Sequence, residues 1–249
     1  FRVAICEQSE KPAEAKKREG SRSLVKRDVV RLVTPGTLTE ESLLHSRSNN
    51  FLAAISCVSG DCAVAWLDIS TGKFCLQCVR PYTPGSVAAV LARIVPGEIL
   101  LPEKIHLTQE FRQVWDEWLE ALVPLPDIRF DPTNSRERLE AFFGVVTMDG
   151  SGSFTKAEIS AAGALIDYIE LTQVGNMPHL DRPRQISDST FLEIDAATRR
   201  NLELTRTLSG ESKGSLLATV DRTVSGSGAR LLASRLNSPS TEVPKIRAR

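Results

Sequence analysis

Three apolar runs follow one another between residues 51 and 79: FLAAISCV (51–58), CAVAWLDI (62–69) and KFCLQCV (73–79). Ser59-Gly60-Asp61 and Ser70-Thr71-Gly72 separate them, gaps short enough for hairpins. The pattern predicts an antiparallel meander of three strands. The period then changes. Val87, Val90, Leu91, Ile94 and Val95 recur at the spacing of a one-sided helix, with Thr83 as its cap, Pro84 at its first position and Pro96-Gly97 as its stop. EILL (98–101) reads as a short strand. Phe111, Val114, Trp115, Trp118, Leu119 and Leu122 repeat the helical spacing as a core stripe. A further strand is predicted near 127–130 and a helix from Pro132 to Phe143. Thr155 and Glu158 form a capping box that starts a helix running to about Val174.

The flanks are weaker in pattern. Residues 1–6 read as a strand, 13–20 as a charged helix or loop, and 25–34 as a strand ended by Pro35-Gly36. Residues 37–50 are polar and read as a linker. Helices at Leu216–Val220 and 230–236 carry apolar faces with no partner in the pattern, so exposed apolar surface or disorder is expected there. The chain starts on Phe1 inside a strand, which points to a piece of a longer protein.

Residues 51–143 thus read β-β-β-α-β-α-β-α, an α/β unit with a mixed sheet covered by helices. That order is the ribonuclease-H-like topology. Nucleases of this fold hold two metal ions with carboxylates from the first strand, the first helix and the fourth strand. Here neither 51–58 nor 84–95 contains an acid. Asp68, at the end of the second strand, is expected to start the turn into Gly72. One carboxylate does not hold two metals, so a free-standing metal-dependent nuclease is only the alternative reading.

Charge is balanced overall, 31 basic against 31 acidic residues, but not locally. Residues 1–47 carry 10 basic and 7 acidic groups, 48–178 carry 9 and 16, and 179–249 carry 12 and 8. The acidic middle is a poor surface for phosphate; the basic ends are better candidates for DNA. No apolar run approaches the roughly 18 residues that span a bilayer, and no signal peptide opens the chain, so a cytoplasmic protein is expected.

Other candidate chemistry is thin. Cys57, Cys62, Cys75 and Cys78 have the spacing of a zinc ribbon, yet KFCLQCV is strand-like and would turn Cys75 and Cys78 to opposite faces. Reduced cysteines are expected. TMDGSGSFTKAE (147–158) imitates a calcium loop with Asp149, Ser151, Gly152 and Glu158, but Thr147 stands where the first carboxylate belongs. GSGAR (226–230) has two glycines at a helix start, and no G-x-x-x-x-G-K-[ST] occurs in the 249 residues. His45, His106 and His179 have no Ser, Cys or Asp partner at an informative spacing. No catalytic, cofactor or metal residue is assigned.

Three stretches are more specific. RVAICEQ (2–8), VVRLVTPGT (29–37) and DAATRRNLELT (195–205), followed by LLATVDRTVSGSGARLLASRLNSP (216–239), in this order and at these distances, resemble the MutS family of DNA mismatch repair proteins. The resemblance spans essentially the whole chain. It implies that 1–47 is the closing part of a mismatch-binding domain plus a linker, 48–178 a ribonuclease-H-like connector domain without nuclease activity, and 179–249 the start of a helical core domain. It further implies partners (mismatched duplex DNA, MutL and a second subunit), with ATP and magnesium bound by ATPase motifs not found in this segment. The family's mismatch-reading Phe-x-Glu is expected upstream of VAICEQ. Phe191-Leu192-Glu193 spells the same pattern but is expected to be core filling in a strand. On the predicted helix 132–143, Leu139, Phe142 and Phe143 are expected to face the sheet. That leaves Arg136, Glu137 and Arg138 at or near the surface as a hypothetical MutL contact.

Overall fold

The computed structural model describes residues 2–19, 24–40, 42–148, 153–174, 177–187 and 191–248. Its strands are β1 (Val3–Gln8), β2 (Arg27–Val33), β3 (Leu52–Val58), β4 (Asp61–Leu67), β5 (Phe74–Val79), β6 (Glu98–Pro102), β7 (Leu122–Leu125) and β8 (Arg184–Gln185). Its α-helices are α1 (Pro12–Glu19), α2 (Pro84–Ile94), α3 (Glu103–His106), α4 (Arg112–Glu117), α5 (Pro132–Phe143), α6 (Lys156–Gln173), α7 (Ala196–Asn201), α8 (Leu216–Val220), α9 (Gly226–Asn237) and α10 (Val243–Arg247).

Apolar residues fill nearly every position of β3 and β4, on both faces, so this sheet must be covered on both sides. Its order is β7-β6-β3-β4-β5-β8. The expected meander is present: β3, β4 and β5 pair antiparallel through tight turns. β6 then adds parallel to β3, β7 parallel to β6, and the two-residue β8 parallel to β5. On one face Leu52, Ala54, Leu67, Phe74 and Leu76 pack beneath Leu165, Ile166 and Ile169 of α6. On the other, Ile55, Val64, Trp66 and Ile99 pack beneath Val87, Leu91 and Ile94 of α2, with Phe111 and Trp115 beside them. Helix α5 packs against α6, and its Leu139, Phe142 and Phe143 join the core on the α6 face of the sheet, Phe143 meeting the Phe74 ring at 6.4 Å. Helix α6 is therefore buried almost all round, which its Ala-Ala-Gly-Ala run (161–164) permits.

The predicted caps form. Thr83 Oγ1 accepts the Ser86 N–H at 3.2 Å, and Thr155 and Glu158 exchange bonds of 3.2 and 2.8 Å. Replacing Thr155 by Ala should cost about 1 kcal/mol, the usual worth of an N-cap hydroxyl, read as a lowered urea midpoint at unchanged slope.

Three readings need correction. Val95 is not part of the α2 stripe; it is the left-handed cap (φ 49°) and is exposed, because Pro96 disfavours helical geometry in the residue before it. The stripe 111–122 is not one helix: a 3-10 turn (Gln109–Phe111) and the short α4 end at Trp118, which bonds through its carbonyl to Ala121 and Leu122. Leu119 points outward, and Leu122 already belongs to β7. The strand expected near 127–130 is instead a 3-10 turn (Asp127–Phe130). The true strand lies earlier because β7 is at the sheet's edge, where Pro124 is tolerated, and Pro126 closes it.

Candidate functional site at the hairpin–sheet junction

The turn TPGT that ends the β1–β2 hairpin is locally determined. Pro35 opens a 3-10 turn (Pro35–Thr37), and the Thr34 N–H donates to Thr37 Oγ1 at 3.0 Å. Thr34 and Thr37 are nevertheless buried, so the turn is held by something else. That partner is Glu98, the first residue of β6 and only 1 % exposed. Its Oε2 accepts from Thr34 Oγ1 (2.5 Å) and the Gly36 N–H (3.1 Å), and its Oε1 from the Tyr168 hydroxyl of α6 (2.8 Å). Arg2 Nε lies 3.7 Å away from the exposed side. Burial, then the charge of Glu98, push Tyr168 well above the ordinary phenol range and keep it a donor.

Neighbouring bonds extend the joint. Asn50 Nδ2 donates to the Pro35 carbonyl (2.8 Å), Gln173 Nε2 of α6 to the Thr37 carbonyl (3.3 Å), and the Gly97 N–H to the Phe51 carbonyl (2.9 Å). A Cβ on Gly36 would stand 2.8 Å from Leu52 Cδ1 and 2.9 Å from Glu98 Cβ, so only glycine lets the turn sit on β3 and β6. The hairpin's end, the sheet and α6 are thus tied through one buried carboxylate. A buried acceptor with three donors is a positioning device: each donor would otherwise be desolvated without a partner.

A second junction joins the sheet's other layer to the C-terminal segment. Arg93 of α2 lies between the rings of Trp66 (5.6 Å) and Phe191 (5.7 Å). Buried Arg199 of α7 donates to the carbonyls of Ile194 (3.2 Å) and Asn237 (2.6 Å). Burial, then the charge of Arg93, lower its pKa to about 10. Arg47 donates to Asp221 Oδ2 and Thr223 Oγ1, both at 2.8 Å. The Thr223 hydroxyl, then Arg47, bring Asp221 down to about 2.

The residues singled out by sequence fall as follows. Asp68 starts its turn as expected: its Oδ1 accepts from the Ser70 N–H (3.0 Å) and Oγ (2.6 Å), its Oδ2 from the Asn50 N–H (3.3 Å), and its carbonyl from Gly72 (2.9 Å). Phe191-Leu192-Glu193 is not a strand filling the core. Phe191 makes an isolated bridge to Ser240 and is half-buried against Arg93, whereas Leu192 and Glu193 are exposed. Arg136, Glu137 and Arg138 do not form one surface patch. Arg138 turns onto α6, 2.9 Å from Asp167 and 3.9 Å from Glu170, and Arg129 joins the same Asp167 at 2.5 Å. Arg136 is half-exposed, 3.8 Å from Glu140, and Glu137 is exposed. GSGAR opens α9, where a Cβ on Gly226 would lie 2.6 Å from the Ser46 carbonyl oxygen. Asp149, Ser151 and Gly152 of the calcium-loop imitation lie outside the described residues, among which no group of three or more His, Cys, Asp or Glu is placed to hold a metal. No described helix is long and apolar enough to cross a membrane.

Glu98 was missed by sequence reading. Its signal was present: an acid leading an otherwise apolar strand, directly after Pro96-Gly97.

Three family profiles match the chain. The profile of MutS domain I matches residues 1–42, that of MutS domain II residues 50–181, and that of MutS domain III residues 197–249. The chain belongs to the MutS family. It is 52 % identical to the DNA mismatch repair protein MutS of Paracoccus denitrificans, and 51 % identical to those of Ruegeria pomeroyi and Azorhizobium caulinodans, each across 100 % of the chain. It spans 27 to 28 % of the length of these relatives. In MutS terms, Thr34, Gly36 and Thr37 lie in the domain I match, and Glu98 and Tyr168 in the domain II match. At the second junction Arg93 and Arg199 fall in the domain II and domain III matches, Phe191 and Ile194 lie in the stretch between the two, and helix α2 packs against α7.

Proposed function

We propose that this chain serves DNA mismatch repair as a relay: residues 1–47 end a mismatch-binding domain, 48–178 form the connector, and 179–249 begin the core. The observation that carries this reading is the Glu98 joint, which makes the end of the hairpin, the central sheet and α6 move together. A displacement of the mismatch-binding part is then passed on as a rigid-body shift rather than absorbed by a flexible linker. The connector is read as ribonuclease-H-like, a reading supported by its five leading strands lying in the order third-second-first-fourth-fifth, three antiparallel and two parallel. Both oxygens of Asp68 being taken, Oδ1 by its own turn and Oδ2 by the Asn50 N–H, supports a scaffold over a nuclease. ATP and magnesium are assigned to the parent protein's ATPase, and mismatched duplex, a second subunit and MutL to its partners.

For MutL, α5 remains the proposed contact, now through Arg136 and Glu137, since Arg138 is engaged with α6. In the full-length parent, reversing both charges (Arg136→Glu, Glu137→Lys) should slow MutL association and change its salt dependence, as changes to rim charges do in other interfaces. Unchanged binding would remove α5 from the contact. For the relay itself, the chain is titrated with a G·T-mismatched duplex and its paired twin at two salt concentrations. Equal, weak, salt-sensitive binding is expected. A clear preference for the mismatch would place the reader within these residues and overturn the relay assignment.

A further inference from the structure

The β3–β4 hairpin carries two thiols that the relay does not use. Ser59 and Gly60 form its two-residue turn, both with positive φ (56° and 86°), and Val58 pairs with Asp61 across it. In such a hairpin the pair that closes the turn exchanges hydrogen bonds, and the next pair inward is the non-hydrogen-bonded kind, with Cα atoms about 4.5 Å apart. That next pair is Cys57 and Cys62. Its spacing lies within the range that a disulfide spans without moving the backbone. All five cysteines are thiols in the structure.

We propose that Cys57 and Cys62 are a hydroperoxide-sensitive dithiol, a modification site that closes into a cross-strand disulfide at the free end of the β3–β4 hairpin. The two thiols are suited to different steps. Cys57 is half-buried beside the exposed Ser59-Gly60 turn, so a small oxidant reaches it, while Cys62 is fully buried behind it. The Cys62 thiol, then the Tyr82 hydroxyl, donate to Cys57 and draw its pKa down despite burial, so the thiolate gathers on Cys57. Cys62, as donor and buried, is driven the other way and keeps its proton. The Cys57 thiolate attacks the peroxide O–O bond; water leaves after taking a proton, and Cys57 becomes a sulfenic acid. The Cys62 sulfur then attacks Cys57 sulfur, the S–S bond forms, and the sulfenic hydroxyl departs with the Cys62 proton as a second water. Two thiols are oxidised by two electrons and one peroxide is reduced to two waters.

The experiment exposes the 249-residue chain to hydrogen peroxide, removes the peroxide, labels remaining thiols with N-ethylmaleimide under denaturing conditions and digests with trypsin. Cys57 and Cys62 fall in one peptide, 48–73, and Cys75 and Cys78 in the next, 74–93. The expected product is peptide 48–73 lighter by two hydrogens and unlabelled, with Cys75 still labelled. In Cys57→Ser the peptide should keep its single label on Cys62 at the same dose. Exposed Cys6 is the dosimeter. The proposal is overturned if 48–73 keeps both labels at a dose that oxidises Cys6. It is equally overturned if 48–73 is instead linked to 74–93, or if Cys57 passes to the sulfinic acid without linking.

Discussion

Glu98→Ala should cost about 3–5 kcal/mol of stability, since a buried donor left without its acceptor costs about 1–3 kcal/mol and three donors share this carboxylate. Thr34 Oγ1, the Gly36 N–H and the Tyr168 hydroxyl would each lose their acceptor in a site where Glu98 is 1 % exposed. Arg2 contributes little to this figure, because it meets the carboxylate at 3.7 Å from solvent. Glu98→Gln keeps an acceptor for one or two of the donors but brings an amide N–H₂ into the same cluster, so a loss of about 1–3 kcal/mol is expected. Denaturant unfolding gives the size, and hydrogen exchange at the Gly36 amide gives the place: its protection should fall before that of the β3–β4 ladder. If Glu98→Ala unfolds within about 1 kcal/mol of the parent chain, the joint is decoration and the relay loses its mechanical basis.

Gly163→Ala is the second test, and its sign is not obvious from helix propensity. Alanine in a helix interior is favoured over glycine by about 1 kcal/mol. Against that, a Cβ at position 163 would lie 2.5 Å from Ser135 Oγ and 2.6 Å from Ser135 Cα, and closer still to Ser135 Cβ. The Cα belongs to the backbone of α5 and yields only if the two helices separate. Overpacking of this kind costs about 1–3 kcal/mol or more, so the net expectation is a loss on the order of 2 kcal/mol. Ser135→Gly in the same chain should restore part of it, giving a coupling of about 0.5–3 kcal/mol between the two positions. The Ser135 hydroxyl is itself buried and finds no acceptor among the described residues, so removing it sacrifices no hydrogen bond there. Additive effects would mean that the helices are not in the contact described.

These two sites differ in how far the sequence discloses them. The three-stranded meander was legible because each apolar run is bounded by residues that favour turns, and turns are local chemistry. The caps at Thr83 and Thr155 were legible for the same reason. The TPGT turn was visible as a turn, yet its acceptor lies 64 residues away, and no local pattern reports that distance. The ion pairs of Arg138 were not legible because a helix with a modest apolar stripe does not say which of its charged residues meets another charge. Its orientation is set by Asp167 and Glu170 on α6, a helix apolar enough along its length that these two acids stand out only once α5 is placed against it. Leu122 misled because a tight turn at Trp118 carried the helical spacing across into a strand.

The two-residue strand β8 has a consequence for solution behaviour. Without it, β5 would offer an open row of backbone donors and acceptors to any other extended chain. Arg184 and Gln185 occupy part of that row, and the Ile186 amide also bonds to Leu76. At the opposite border Pro124 removes a donor from the four-residue β7. The sheet is therefore blunted at both margins, which guards a double-sided apolar sheet against growing edge to edge into aggregates.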